Sequence, residues 1–278
     1  MPPVRNVVLD FVPSATVKSP RRRWGIAVGA LAALAALAAL VAIVAGLLTT
    51  SPRVKTGTSG DRPLTASAST AGAARSNLPP GRGALIAVLR RATTLRDTPG
   101  GRVLHTIGRR SEFDSPQTLW VVAPRGRWLG VISPQAGNGR IGWIPRGAAS
   151  LGRVDWKLRV SLSARRLLVF NGGRMVQRYR VAVGGPGAPT PTGRFDVTDL
   201  LATGNPTGPY GCCILALSAL APHAIQGWGG GNRIAIHATT DTASIGQPVS
   251  HGCLRLTTAQ GRWLLSHVPL GTPTLISG

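Results

Sequence analysis

Near the C-terminus, Ser250-His251-Gly252-Cys253-Leu254-Arg255-Leu256 sets a cysteine beside a histidine, and His237 lies 16 residues upstream of Cys253. A cysteine attacks a carbonyl carbon only as its thiolate, and an imidazole can take the proton. Gly252 lets the backbone turn sharply beside the sulfur. Such a turn can aim amides at the oxyanion of a tetrahedral intermediate, each donor contributing about 3–4 kcal/mol in other enzymes. Both His237 and His251 are candidates for the base. His251 would share the face of Cys253 on a strand but could point away on a sharp turn, and spacing leaves the choice open. A zinc site made of His237, His251 and Cys253 would lack a fourth ligand and the usual short ligand spacings.

These residues need a scaffold, and the surrounding pattern is of strands. From Asp155 onward, LRVSL and RLLVFNGGRMVQRYRVAVG predict a hairpin around Asn171-Gly172-Gly173. A turn-rich connection over Gly184–Gly193 leads to a strand at Arg194–Val197, and DVTDLLATGNPTGPYGCC reads as an irregular stretch that could fold over a site. Arg233–His237 is an apolar strand ending in a histidine. Thr257 is placed to cap a short helix across TAQGRWLLSHV, and TPTLI is a final strand. Trp263 reads as core. His105, His223 and His267 read as packing or surface residues, and Trp228 as part of a glycine-rich lid or loop.

Further upstream, ALIAVL, RVLHTI, TLWVVAP, RWLGVIS and RIGWIP predict five short strands separated by turn signals, enough for a small β-barrel over 84–152. Before it, residues 49–83 contain 25 Ser, Thr, Ala, Gly or Pro among 35 and no aromatic, the composition of a flexible tether. Residues 24–48 are 25 consecutive uncharged residues. A helix of that length spans roughly 37 Å against a ~30 Å hydrocarbon core. Arg21-Arg22-Arg23 immediately before it predict a cytoplasmic tail over 1–23 and an extracytoplasmic remainder. A cleaved signal peptide would have a shorter apolar region and a small-residue cleavage site, which TTSPRVK does not offer.

The chain holds 278 residues and a formal net charge of +23, with Glu112 its only glutamate. That scarcity argues against paired-carboxylate catalysis and a calcium-binding carboxylate cage. Most of the excess lies on residues 84–278, with 22 cations against 7 acids. Outside the cytoplasm such a charge suits an anionic membrane surface or an acidic polymer. The expected topology argues against nucleic acid as a partner, and no basic helix with interleaved aromatics supports it. The three cysteines are Cys212, Cys213 and Cys253. The Cα atoms of the first two are ~3.8 Å apart across a trans peptide, below the usual disulfide range, so they read as small buried apolar residues and not as a bridge.

SHGCLRL, preceded by a strand ending IAIHAT, resembles the catalytic signature of the L,D-transpeptidase family of bacterial cell-wall enzymes. The run Ala188–Phe195 and the GPYG stretch at Gly208–Gly211 also match that family. The resemblance covers roughly residues 155–277. It implies a mainly β chain whose catalytic domain, over 153–278, is a β-sandwich. It also implies a Cys acyl-enzyme mechanism without a cofactor, and peptidoglycan stem peptides as donor and acceptor. It makes Cys253 the nucleophile and His237 its activator. Ser250, His251, Gly252 and Arg255 fill the remaining motif positions, with the turn's amides as oxyanion hole, and Tyr210 falls on a substrate-covering loop. Ala238 departs from the glycine of many members, although its carbonyl could still orient the imidazole. The small barrel resembles bacterial Src-homology-3-like modules. The expected reaction is a 3→3 cross-link, with water or a protein amine as alternative acceptors. A sortase would need a Thr-Leu-x-Thr-Cys strand, which is absent. A non-catalytic cationic wall-binding protein would leave Cys253 unreactive.

Overall fold

The computed structural model describes residues 81–222 and 231–278. The expected tail, membrane helix over 24–48, most of the tether, His223 and Trp228 lie outside the described residues. Among the described residues no helix is long and apolar enough to cross a membrane.

Seven strands form the N-terminal part: β1 (Ala84–Leu89), β2 (Thr93–Arg96), β3 (Val103–Ile107), β4 (Thr118–Arg125), β5 (Trp128–Val131), β6 (Gly142–Pro145) and β7 (Ala149–Val154). They make one antiparallel sheet in the order β3-β2-β6-β5-β4-β1-β7. Alternation puts Leu85, Ala87 and Leu89 of β1 on one face with Leu95, Leu119, Leu129 and Ile144, all buried in a single apolar cluster. Two strands go beyond the five expected. β2 is only four residues long, and β7 is interrupted by Gly152, yet β7 pairs with all six residues of β1. The expected barrel is therefore a wrapped sheet with β3 and β7 at its edges.

The rest contains β8 (Trp156–Ser161), β9 (Arg166–Asn171), β10 (Arg174–Arg180), β11 (Val183–Gly184), β12 (Gly193–Ala202), β13 (Cys213–Leu220), β14 (Arg233–Ala238), β15 (Pro248–Ser250), β16 (Leu254–Leu256), α1 (Thr258–His267) and β17 (Pro273–Ser277). Eight of these strands form a sheet in the order β10-β9-β8-β17-β12-β13-β14-β16, and β11 pairs with β15 separately. Neighbours in the large sheet are antiparallel except β14–β16 and β17–β8. Leu158 and Val169 from one end of that order share a cluster with Ile236 and Leu254 from the other. The sheet therefore curls so that its two ends face each other across one core. Helix α1 closes the core with Leu264. Its start is fixed by a capping box in which Thr257 Oγ1 accepts from the Gln260 amide and Gln260 Oε1 accepts from the Thr257 amide.

The stretch read as irregular after Val197 is instead strand through Ala202. A bulge between Val197 and Asp199 shifts its register against β13. Phe195 and Val197 thus face the core, and Leu201 serves the opposite face. Both β-regions lie in one compact unit. They approach closely at Gly271, where a Cβ would sit 2.8 Å from side-chain carbons of Ile86 and Thr118.

Candidate active site

Cross-strand register builds the site. Leu201 of β12 lies opposite Ile214 of β13, which lies opposite His237 of β14. The next row on the same face is Asp199, Ala216 and Ala235. Strand β16 runs parallel to β14 with Leu254 opposite Ile236, so Cys253, just before it, falls beside Ala235. Cys253 packs with Leu201, Ile214 and Ala235, and Tyr210 rests against the same cluster. The Tyr210 and His237 rings meet edge to face with centroids 5.0 Å apart. The structure therefore brings Cys253, His237 and Tyr210 together on the outer face of the curled sheet.

The turn before Cys253 is tied down by its own side chains. Ser250 Oγ donates to the Cys253 carbonyl at 2.5 Å and accepts from the Gly252 amide at 3.1 Å. Thr190, from the run Ala188–Phe195, accepts from the Gly184 amide at 2.9 Å and donates to the Gly252 carbonyl at 2.8 Å. Gly252 has φ +109°, and a Cβ there would lie 2.7 Å from Ile234 Cδ1, so the position needs glycine. Because Ser250 engages the Gly252 amide, an oxyanion pocket would fall to the neighbouring amides of the turn.

The two histidines have different fates. His251 is exposed. His237 is 3% exposed, and its Nδ1 sits 2.8 Å from the Ala238 carbonyl. A carbonyl only accepts, so Nδ1 carries the proton and Nε2 presents its lone pair. The Ala238 carbonyl thus orients the ring with alanine in the position of the more usual glycine.

Burial sets the electrostatics. It drives His237 down to about 4; the Ala238 hydrogen bond opposes this and the Arg255 charge adds to it. Burial also raises the Cys253 thiol above its ordinary value, against a backbone interaction at Ala235 and the Arg255 charge. Tyr210 is pushed up to about 12 by burial and by proximity to Cys253, with Arg255 acting the other way. Arg255 is half-buried, and its Nε is buried without a hydrogen-bond partner. The unliganded pair is accordingly a neutral thiol and a neutral imidazole.

Cys212 and Cys213 depart from the sequence reading: they form a vicinal disulfide. The Cα range that argued against it describes bridges between separate segments, whereas adjacent cysteines close a small ring at a turn. Here that turn follows Gly211, whose φ is +56° and whose missing Cβ would lie 2.7 Å from that of Ala238. Cys253 is the free cysteine. Among the described residues no group of three His, Cys, Asp or Glu side chains is arranged to hold a metal ion. Sequence reasoning missed Leu201 and Ile214, whose shared face appears only once β12 and β13 are in register.

A family model described as the L,D-transpeptidase catalytic domain matches residues 155–276. The YkuD proteins of Bacillus licheniformis and Bacillus subtilis are each 35% identical to the chain over 124 residues, covering 45% of it and 67% of the relative. Among solved structures, the Ldtfm–avibactam carbamoyl enzyme is 22% identical with a TM-score of 0.35, covering 45% of this chain and 49% of that one. An L,D-transpeptidase from Mycobacterium smegmatis is 18% identical with a TM-score of 0.36, covering 58% and 77%. The chain thus spans about half the length of the first of these structures and two thirds of the Bacillus proteins, and neither structural likeness bears on the site. The match over 155–276, together with the Bacillus relatives, places the chain in the L,D-transpeptidase family.

Proposed function

We propose that the chain is a peptidoglycan L,D-transpeptidase acting through a Cys253 acyl-enzyme and forming 3→3 cross-links. The observation that carries this reading is the free, buried Cys253 beside the oriented His237 in a chain of this family. Because both groups are neutral at rest, proton transfer from the thiol to His237 Nε2 accompanies attack on the carbonyl that joins the third residue of a tetrapeptide stem to its terminal D-alanine. The imidazolium so formed protonates the leaving D-alanine amine, and a thioester remains. An amine from a second stem gives its proton to His237 and displaces the thiolate, forming the cross-link and regenerating the thiol. The positive charge of Arg255 favours the thiolate over the thiol and opposes a resting imidazolium. Amides of the turn beside Cys253 serve the oxyanion, and Tyr210 covers the bound donor from the 203–212 loop.

The remaining assignments belong to the same reading. The N-terminal apolar segment anchors the chain in the bacterial cell membrane, with its N-terminus cytoplasmic. The cationic remainder then faces the wall, where 22 cations against 7 acids on residues 84–278 hold it near anionic polymers. The test is product analysis by mass spectrometry with purified tetrapeptide stems, with and without an amine acceptor stem. Cross-linked dimer with acceptor, and its loss in Cys253→Ala, are expected. Tripeptide as the sole product would make the enzyme an L,D-carboxypeptidase, and unchanged conversion by Cys253→Ala would refute the Cys mechanism.

A further inference from the structure

The loop between β3 and β4 crosses from the N-terminal sheet onto the face that carries Cys253. Three consecutive residues of that loop meet the larger, C-terminal sheet. Ser111 Oγ donates to Asp199 Oδ1, and Glu112 pairs with the buried Arg233 guanidinium. Phe113 packs against the apolar cluster of Leu201, Ile214, Ala235 and Cys253. The loop is stiffened from within, because Ser111 Oγ also accepts from the Ser115 amide at 3.0 Å. Arg233 is held independently, donating to the Leu217 carbonyl and to Thr198 Oγ1. The anchor residues Asp199 and Arg233 lie on the strands that carry Leu201 and His237, so the loop's position is fixed relative to the reacting groups.

We propose that Phe113 is a wall of the acyl-donor site, contributed by the N-terminal β-region, and that it receives the aliphatic part of the donor stem beside the scissile carbonyl. This rests on the reading of Cys253 as the acylated residue. It makes the N-terminal β-region a component of the active site. The chemistry fits the place. Phe113 and Tyr210 are the partly buried side chains packed on an otherwise buried apolar cluster. An apolar wall there favours methyl or methylene groups over charged ones. The polar residues before it, Ser111 and Glu112, engage Asp199 and Arg233, and so hold Phe113 against the cluster.

The test compares Phe113→Ala and Phe113→Leu in the full-length chain, with two readouts. The first is kcat and KM for the tetrapeptide donor. The second is the rate at which iodoacetamide alkylates Cys253, which depends on access and not on any natural substrate. Phe113→Ala should raise the donor KM about tenfold with kcat changed much less. It should also speed alkylation several-fold, and Phe113→Leu should restore most of both. Thermal melting confirms that each variant is folded, and Phe113→Val, for which the same rise in donor KM and faster alkylation are expected, carries the comparison if the alanine variant is not. A donor KM and alkylation rate both within twofold of wild type overturn the proposal, as does faster alkylation with unchanged KM. Wild-type protein that never converts the tetrapeptide refutes the transpeptidase reading instead, while the alkylation arm still reports whether Phe113 covers Cys253.

Discussion

Raising the pH separates a neutral Cys253–His237 pair from a preformed ion pair. Burial holds the thiol above its ordinary value of 9.0 and drives His237 down to about 4. At pH 7 a thiol with a pKa of 9 or more is ionised in about one molecule in a hundred or fewer. An ion-paired cysteine with a pKa of ~3–4 would be fully thiolate at that pH. The two arrangements therefore differ by at least about a hundredfold in resting thiolate. The assay is the rate of Cys253 alkylation by iodoacetamide, followed by intact mass, between about pH 6 and pH 8.5. His237 is already neutral across that interval, so its titration adds no inflection. The rate should climb about tenfold per pH unit without a plateau. A rate that is flat from pH 6 to 8 would refute the neutral pair and the proton transfer built on it.

Three further outcomes follow from the same structure. Burial raises Asp196 from 3.8 to about 6, so its contribution to stability is fully present below about pH 3.8 and is lost as pH rises through about 6. Above pH 7 the buried carboxylate costs on the order of 3 kcal/mol; Asp196→Asn keeps an acceptor for the Trp120 amide and should melt higher than wild type at pH 8, with the advantage shrinking toward pH 4. A lower melting temperature for Asp196→Asn at pH 8 would contradict this. Intact mass after iodoacetamide treatment of the denatured chain should show one adduct without reductant and three with it, as the Cys212–Cys213 bridge requires; three adducts without reductant would show that the bridge does not form. Gly252→Ala forces a non-glycine residue to φ +109° at about 1–3 kcal/mol, so melting should fall and donor turnover should drop with it; unchanged values for both would remove the conformational role assigned to Gly252.

The sequence carries the site's chemistry more fully than its architecture. Cys253, His237 and Ser250 sit in a short contiguous motif or at the end of an apolar strand, where local pattern marks them. Thr190 falls within a run that resembles the family, although its bond to the Gly252 carbonyl spans 62 residues. What the pattern hides depends on distant pairing. β12 continues past Val197 because a bulge restores its alternation, and a strict period of two reads such a bulge as the end of a strand. β2 and β7 are strands because neighbours supply their hydrogen bonds. The Ser111–Asp199 and Glu112–Arg233 contacts join residues 88 and 121 positions apart, and nothing local to either partner announces them. The vicinal disulfide was concealed by a distance rule suited to bridges between separate segments.

Intact-mass measurement of the full-length chain mixed with a tetrapeptide stem in the absence of acceptor tests the central claim most directly. The account predicts a covalent adduct equal to the stem less its terminal D-alanine, mapped to Cys253 and absent in Cys253→Ala. A chain that releases D-alanine without passing through that adduct, or an adduct that persists in Cys253→Ala, would contradict it.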